Sequence, residues 1–280
     1  MPAFQAFSTF PAAGRFSIFV MSSFLSSIDM SATVLAASLA VFLLAGFVKG
    51  VIGLGLPTVA VGLLSLMMPP VQAAALLIVP SMVTNGWQLF TGGALGVLLR
   101  RLWTLLAGIV LGTLAGGSFM NADGGRRAII VLGLALVLYA LAGLASWTPS
   151  VSPAQEKWWS PAVGLATGLV TAATGVFVIP AVPYLQALGL PREQLIQALG
   201  LSFTVSTLAL AINLGQGGAF SGGVGWASLV LLLPALLGMS IGARVRGRVQ
   251  AVTFRRCFFI GLLLLGLHLA SALLRQGGAP

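Results

Sequence analysis

Long apolar runs, each close to the length of a bilayer crossing, recur along this chain. A hydrocarbon core of about 30 Å needs roughly 20 apolar residues per helix, and a helix satisfies its own backbone groups there. We therefore predict an all-α, polytopic membrane fold with about eight full transmembrane helices. They are expected at residues 32–52, 71–91, 102–120, 128–146, 161–185, 194–214, 226–243 and 257–274.

Two further apolar stretches, 58–68 and 176–188, are too short to cross a bilayer alone and are crowded by Gly and Pro. Such segments are typical of discontinuous or re-entrant helices that line a cavity within the membrane. We expect two helices of this kind.

Charge composition supports a membrane location and excludes nucleic acid as a partner. Of 280 residues, 58% are hydrophobic, and 14 Lys and Arg against 4 acids give a net charge of +10. The basic residues lie between the apolar runs, as expected for loops at an anionic cytoplasmic surface. The cluster between Arg244 and Arg256 should therefore be cytoplasmic, in a multi-pass protein of a cell inner membrane with the lipid bilayer as partner.

The chain also has an internal repeat. Arg126–Arg127 and Arg255–Arg256 each open a final apolar run. Equivalent positions elsewhere are Gly46 with Gly164, Gly50 with Gly168, Pro70 with Pro191, Ser81 with Ser202 and Trp103 with Trp226. We expect a leader or interfacial segment at 1–31, a first repeat at 32–147, a linker at 148–160, a second repeat at 161–275 and a tail at 276–280. The pattern leaves parallel and inverted repeats both open, since that choice depends on whether the short segments cross or re-enter.

No acid falls inside a predicted bilayer core: Asp29, Asp123, Glu156 and Glu193 all lie in loops or at span ends. Carriers of cations or protons keep core carboxylates, and an intramembrane enzyme needs an acid, a metal site or a nucleophile with its base. The single Cys257 and the single His268 supply no such set. We predict no enzyme activity, no cofactor and no metal.

Two helix breaks are the candidate chemistry. Residues 46–57 (GFVKGVIGLGLP) place Gly53 and Gly55 before Pro57, which is favoured in the first turn of a new helix. Thr171, Thr174 and Gly175 form the counterpart in the second half. Because the start of a new helix presents unpaired N–H groups and a positive dipole end, both breaks suit an anion.

Polar side chains at membrane depth add to this hypothesis. Lys49 lies next to the first break, where its charge either attracts an anion or snorkels to the interface. Further hydrogen-bonding groups are Asn85, Gln88, Ser202, Thr204 and Asn213. Each could instead join two helices, the commoner role of small polar residues in membranes.

The motifs at 46–57, at 79–88 (VPSMVTNGWQ) and at 198–202 (ALGLS) resemble the sulfite exporter TauE/SafE family over about residues 35–274. That resemblance implies a duplicated helical permease for sulfite, a sulfonate or a related anion. The chain departs from the family at Leu54 and Leu56, where a richer glycine cluster is common.

The function predicted from the residues and this resemblance is an anion permease with its site between two repeats at broken helices. A non-transporting membrane scaffold subunit, or an intramembrane enzyme that uses His268, are the alternatives. The exact substrate, the direction of transport, the coupling ion and the oligomeric state are left open.

Overall fold

The chain folds as a bundle of helices, known here from a computed structural model that describes residues 31–117, 119, 125–145, 150–219 and 222–271. The predicted leader and tail lie outside these residues. The described residues form ten helices and no strand: α1 Ala32–Ile52, α2 Leu56–Leu64, α3 Pro70–Phe90, α4 Leu95–Ala115, α5 Arg126–Leu144, α6 Pro153–Thr174, α7 Ala181–Ala187, α8 Arg192–Gln216, α9 Gly222–Val245 and α10 Ala251–Ala270.

Seven of the described helices are long and apolar enough to cross a membrane: α1, α3, α4, α5, α8, α9 and α10. The protein is therefore a multi-pass membrane protein. Of the eight predicted spans, the one at 161–185 does not meet this criterion. Its helix, α6, has 22 residues, but its first turns carry Glu156, Lys157 and two tryptophans.

Two pairs of parallel helices pack through glycines. In α1 and α9, Gly46 and Gly50 face Gly238 and Gly242, and a methyl group built on any of the four would lie 2.0–2.3 Å from a backbone oxygen of the other helix. Helices α4 and α6 repeat this arrangement with Gly108, Gly112, Gly164 and Gly168. Small residues four apart allow backbones to approach closely where lipid supplies no hydrophobic driving force.

Two antiparallel pairs complete the bundle. Helix α5 runs against α10, where Gly133 meets Ala270 and Gly143 meets Phe259. Helix α3 runs against α8, where Gly200 meets Gln88 and Leu89. Because α1, α3, α5 and α9 end where α4, α6, α8 and α10 begin, the bundle has two distinct ends.

One end of the bundle, called the basic end, carries most of the charge. Its described basic residues are Arg100, Arg101, Lys157, Arg192, Arg244, Arg246, Arg248, Arg255 and Arg256. At the opposite end the described basic residues are Arg126 and Arg127. Glu156 is also at the basic end, where it accepts hydrogen bonds from Arg101 at 2.8–3.1 Å.

Both predicted helix breaks are present. Helix α1 ends at Gly53, whose φ of +83° suits glycine, and its N–H bonds the Lys49 carbonyl. Helix α6 ends in the same way at Gly175, with φ +73° and a bond to the Thr171 carbonyl. The expected span at 161–185 therefore stops at Thr174, and the first eight residues of α6 come from the predicted linker. The short helices α2 and α7 follow the breaks.

Candidate functional site

Two adjacent pockets, called lobes here because they share part of their lining, lie at the basic end. The Lys49 lobe has a volume of about 380 Å³ and is lined by residues 49–54 together with side chains of α3, α8 and α9. The Arg255 lobe, about 340 Å³, is lined by α5, α7 and α10. Val51, Ile52, Leu54, Gln186, Arg192 and Arg246 line both lobes. The broken end of α1 thus lies between the two lobes, which together are called the vestibule.

Lys49 lies at the wall of its lobe with only 3% of its side chain exposed. Its ammonium group donates to Thr84 Oγ1 at 3.0 Å and to Asn85 Oδ1. The amide of Asn85 in turn contacts Thr207 Oγ1 of α8 at 3.4 Å. The lysine therefore points into the bundle and does not snorkel to the interface.

No carboxylate accompanies this ammonium among the residues that the structure describes. Glu156 pairs with Arg101, Glu193 is exposed at the start of α8, and neither lines a lobe. Asp29 and Asp123 lie outside the described residues. A buried charge is costly without a partner of opposite sign. Because the hydrogen-bond acceptors around Lys49 are neutral, the adjacent cavity is suited to an anion.

Side chains from two other helices cap the end of α1. Arg246 donates to the Gly50 carbonyl through Nε at 3.2 Å and Nη2 at 2.7 Å, and Gln88 donates to the Gly53 carbonyl at 2.8 Å. The carbonyls of a last helical turn lack helix partners, and a cation there also complements the dipole. Arg246 and Gln88 thus bond the end of α1 from two sides, and the first break faces the vestibule.

Three of the predicted site residues in the first half line the Lys49 lobe: Lys49, Gly53 and Gln88. Asn85 does not line the lobe, but its Oδ1 accepts a hydrogen bond from the Lys49 ammonium. Gly55 and Pro57 start α2 away from both lobes. A methyl group on Gly55 would meet Val48 at 2.9 Å and Phe258 at 3.3 Å. The first turn of α2 is thus packed against side chains.

The predicted residues of the second half line neither lobe. Thr171, Thr174 and Thr204 each donate to a carbonyl four residues earlier, and Asn213 donates to the Thr113 carbonyl at 2.8 Å. Ser202 is fully buried with no hydrogen-bond partner for its hydroxyl. After Gly175 the chain runs through Val176, Phe177 and Val178, all fully buried. In this conformation the second break is closed by apolar side chains.

Sequence reasoning missed the arginines of the vestibule and Thr84. Arg246 and Arg255 were interpreted only as determinants of membrane orientation and Arg192 was given no role, although all three line the cavity. Thr84 lies within the quoted motif at 79–88, and its position beside Asn85 was a usable signal. Which arginine faces a cavity depends on where three helix ends meet, and local sequence does not give that.

The vestibule can attract and hold a small negative solute. Guanidinium groups at the mouth raise the local concentration of anions, and low-dielectric walls strengthen that field. Lys49 and the amide of Gln88 then offer donors deeper inside. Water's share of liquid volume is about 30 Å³ per molecule, so a lobe of 380 Å³ accommodates an oxyanion with several waters.

The comparison with curated proteins gives a match to NADH-quinone oxidoreductase subunit N of Cereibacter sphaeroides, 28% identical over 261 residues, covering 81% of this chain and 54% of that protein. This chain thus spans about half the length of that relative. No solved structure matches.

The family comparison covers most of the bundle. Residues 38–269, from the second turn of α1 to the last turn of α10, match the family described as Sulfite exporter TauE/SafE. The match includes both breaks, Lys49 and every described residue that lines the vestibule, and it agrees with a bundle of apolar helices around an acid-free cavity. This chain belongs to the sulfite exporter TauE/SafE family of membrane transporters.

Proposed function

We propose that this protein is a permease for a small sulfur oxyanion, either sulfite or a sulfonate, and that the anion binds in the Lys49 lobe. The observation that carries the proposal is Lys49, a buried cation hydrogen-bonded to neutral groups, among the residues that line a cavity whose described lining contains no acid. Family membership supports the substrate class, and the lining of the lobe supports the position of the binding site.

Charge balance supports the site. Thr84 and Asn85 accept two of the three hydrogen bonds that an ammonium group can donate, which leaves one for a ligand. An anion there supplies the missing countercharge, and charge-assisted hydrogen bonds are roughly twice as strong as neutral ones. Gln88 and Gly53 lie in the same lining and position the anion at the first break.

The fold supports two inverted halves, α1–α5 and α6–α10. Helix α1 corresponds to α6, since each has a glycine pair four residues apart and a terminal glycine with positive φ. Helix α4 corresponds to α9 by the same kind of glycine pair. The corresponding helices α3 and α8, and likewise α5 and α10, pack antiparallel, as inversion requires. Aligned on the terminal glycines Gly53 and Gly175, Lys49 corresponds to Thr171, whereas the glycine pairs align it with Thr167.

Inversion gives a transport cycle. The first break is open to the basic end, whereas the second is closed by Val176, Phe177 and Val178. In the alternative state we expect the second break to open towards the opposite end while the first closes. Thr171, Thr174 and Gly175 would then contact the anion on its way through.

The distribution of basic residues supports a vestibule on the cytoplasmic side, and we propose that the membrane is an inner membrane. An anion that leaves a cell with a negative interior gains about 2.3 kcal/mol per charge per 100 mV. Export from this vestibule therefore needs no ATP and no coupling ion.

Flux measurements test the proposal. Purified protein in liposomes should move radiolabelled sulfite and methanesulfonate faster than protein-free liposomes, and a negative interior should accelerate efflux. Equal rates in both kinds of liposome would reject the permease. If the protein also purified as a stable assembly with one dedicated partner, the scaffold alternative would replace it.

A further inference from the structure

The geometry points to a second oxyanion site in the Arg255 lobe, distinct from the Lys49 site and occupied before it. Arg192, Arg246 and Arg255 are all among the residues that line this lobe, and no acid is among its described lining residues. We call this lobe a waiting site because the transported anion would bind there before it reaches the Lys49 lobe. This role rests on the proposed permease function.

The chemistry of the lining specifies the ligand class. A guanidinium group is planar, permanently charged and able to bind two oxygens of one oxyanion at once. Three such groups around about 340 Å³ fit a tetrahedral or pyramidal oxyanion: sulfite, a sulfonate or a phosphate headgroup. The far wall is aromatic, since the rings of Tyr139 and Phe259 lie 5.2 Å apart and both line the lobe. That wall accepts the carbon of a sulfonate or the glycerol end of a lipid.

Shared lining residues connect the two sites. Arg192 and Arg246 line both lobes, so an anion can move from the Arg255 lobe to the Lys49 lobe without losing guanidinium contact. Arg246 already bonds the Gly50 carbonyl with Nε and Nη2. Arg246 follows directly after α9 and lies next to the break that separates the lobes.

A substitution of Arg255 distinguishes the two sites, because Arg255 lines the Arg255 lobe and not the Lys49 lobe. The test variant is Arg255→Gln. The matched control is Arg256→Gln, which removes the same charge from the adjacent, exposed residue that lines neither lobe. Both variants keep Lys49, Arg192 and Arg246.

Equilibrium binding and flux are measured together. In nanodiscs of zwitterionic lipid, the wild type and Arg256→Gln should bind a second radiolabelled sulfite per chain that Arg255→Gln lacks. In liposomes, Arg255→Gln should raise the half-saturating sulfite concentration about tenfold, the effect of one lost charge-assisted contact. The maximal rate should change little, because Lys49 is intact.

A lipid headgroup is the other source of the same chemistry. If the lobe holds a lipid, no second sulfite binds, and mass spectrometry of the intact protein should show a phosphatidylglycerol that the wild type and Arg256→Gln retain and Arg255→Gln loses. That result keeps an oxyanion site in the lobe but overturns its role as a waiting site for the transported anion. Equal behaviour of Arg255→Gln and Arg256→Gln in sulfite binding, flux and lipid retention would overturn the second site. Absence of flux from the wild type would instead reject the permease.

Discussion

At the scale of single residues, the position of the Lys49 ammonium depends on neighbouring acceptors. Asn85 accepts from Lys49 and contacts Thr207, so one amide connects α1, α3 and α8. Thr84 is itself fixed, because its hydroxyl donates to the Pro80 carbonyl at 2.7 Å. A buried polar network of this kind is worth most when each member has a partner.

Replacing Asn85 with Leu should therefore weaken anion binding while the charge of Lys49 remains. We expect the half-saturating sulfite concentration in liposomes to rise about tenfold, the usual cost of one hydrogen bond to a charged group. Asn213→Leu is the control, since that amide is also buried but bonds the Thr113 carbonyl away from both lobes. An unchanged half-saturating concentration in Asn85→Leu would show that the network does not position the ammonium.

At the scale of helices, the positions of the two helix breaks could be predicted from the sequence, but the surroundings of each break could not. The breaks at Gly53 and Gly175 followed from glycine and proline in the sequence. That the first faces a cavity and the second is packed under Val176 and Phe177 depends on tertiary contacts. The length of α6 was misjudged because apolar residues continue past Thr174 in a segment that is not helical.

Because α4 packs on α6 through glycines, two glycine-to-alanine substitutions in α4 should differ sharply in their effect on stability. Gly112→Ala places a methyl group 2.3 Å from the Leu165 carbonyl oxygen, whereas a methyl group on Gly96 meets nothing within 4 Å. Both residues are in α4. Gly112→Ala should cost about 1–3 kcal/mol through overpacking, and Gly96→Ala should cost nothing.

Thermal unfolding in detergent, followed by size-exclusion chromatography of heated samples, measures this difference. Gly112→Ala should lose its monodisperse peak at a clearly lower temperature than the wild type and Gly96→Ala. Identical profiles for the two variants would contradict close packing of α4 on α6.

At the scale of the whole molecule, the helical class and a cavity lining that includes Lys49, Gly53 and Gln88 could be predicted, since composition and glycine patterns are local. The vestibule could not be derived from it. Arg192, Arg246 and Arg255 belong to three different helices or helix ends, and only the packing of α8, α9 and α10 brings them together.

The orientation predicted by the charge distribution is testable with single cysteines in a Cys257→Ser background. Gly247→Cys lies between α9 and α10 at the basic end, and Met67→Cys lies at the opposite end, in an exposed turn. An impermeant thiol reagent should label Gly247→Cys in inside-out vesicles and Met67→Cys in right-side-out vesicles. The reverse pattern would place the vestibule outside the cell.

The central claim is that the buried Lys49 ammonium binds the transported anion, and the two lysines of this chain provide the direct test. Lys49→Met removes the charge from the lobe, whereas Lys157→Met makes the same change at an exposed position on α6. Sulfite efflux from liposomes should be nearly abolished in Lys49→Met and unchanged in Lys157→Met, with both proteins equally folded by chromatography. Equal efflux from the two variants would contradict the claim.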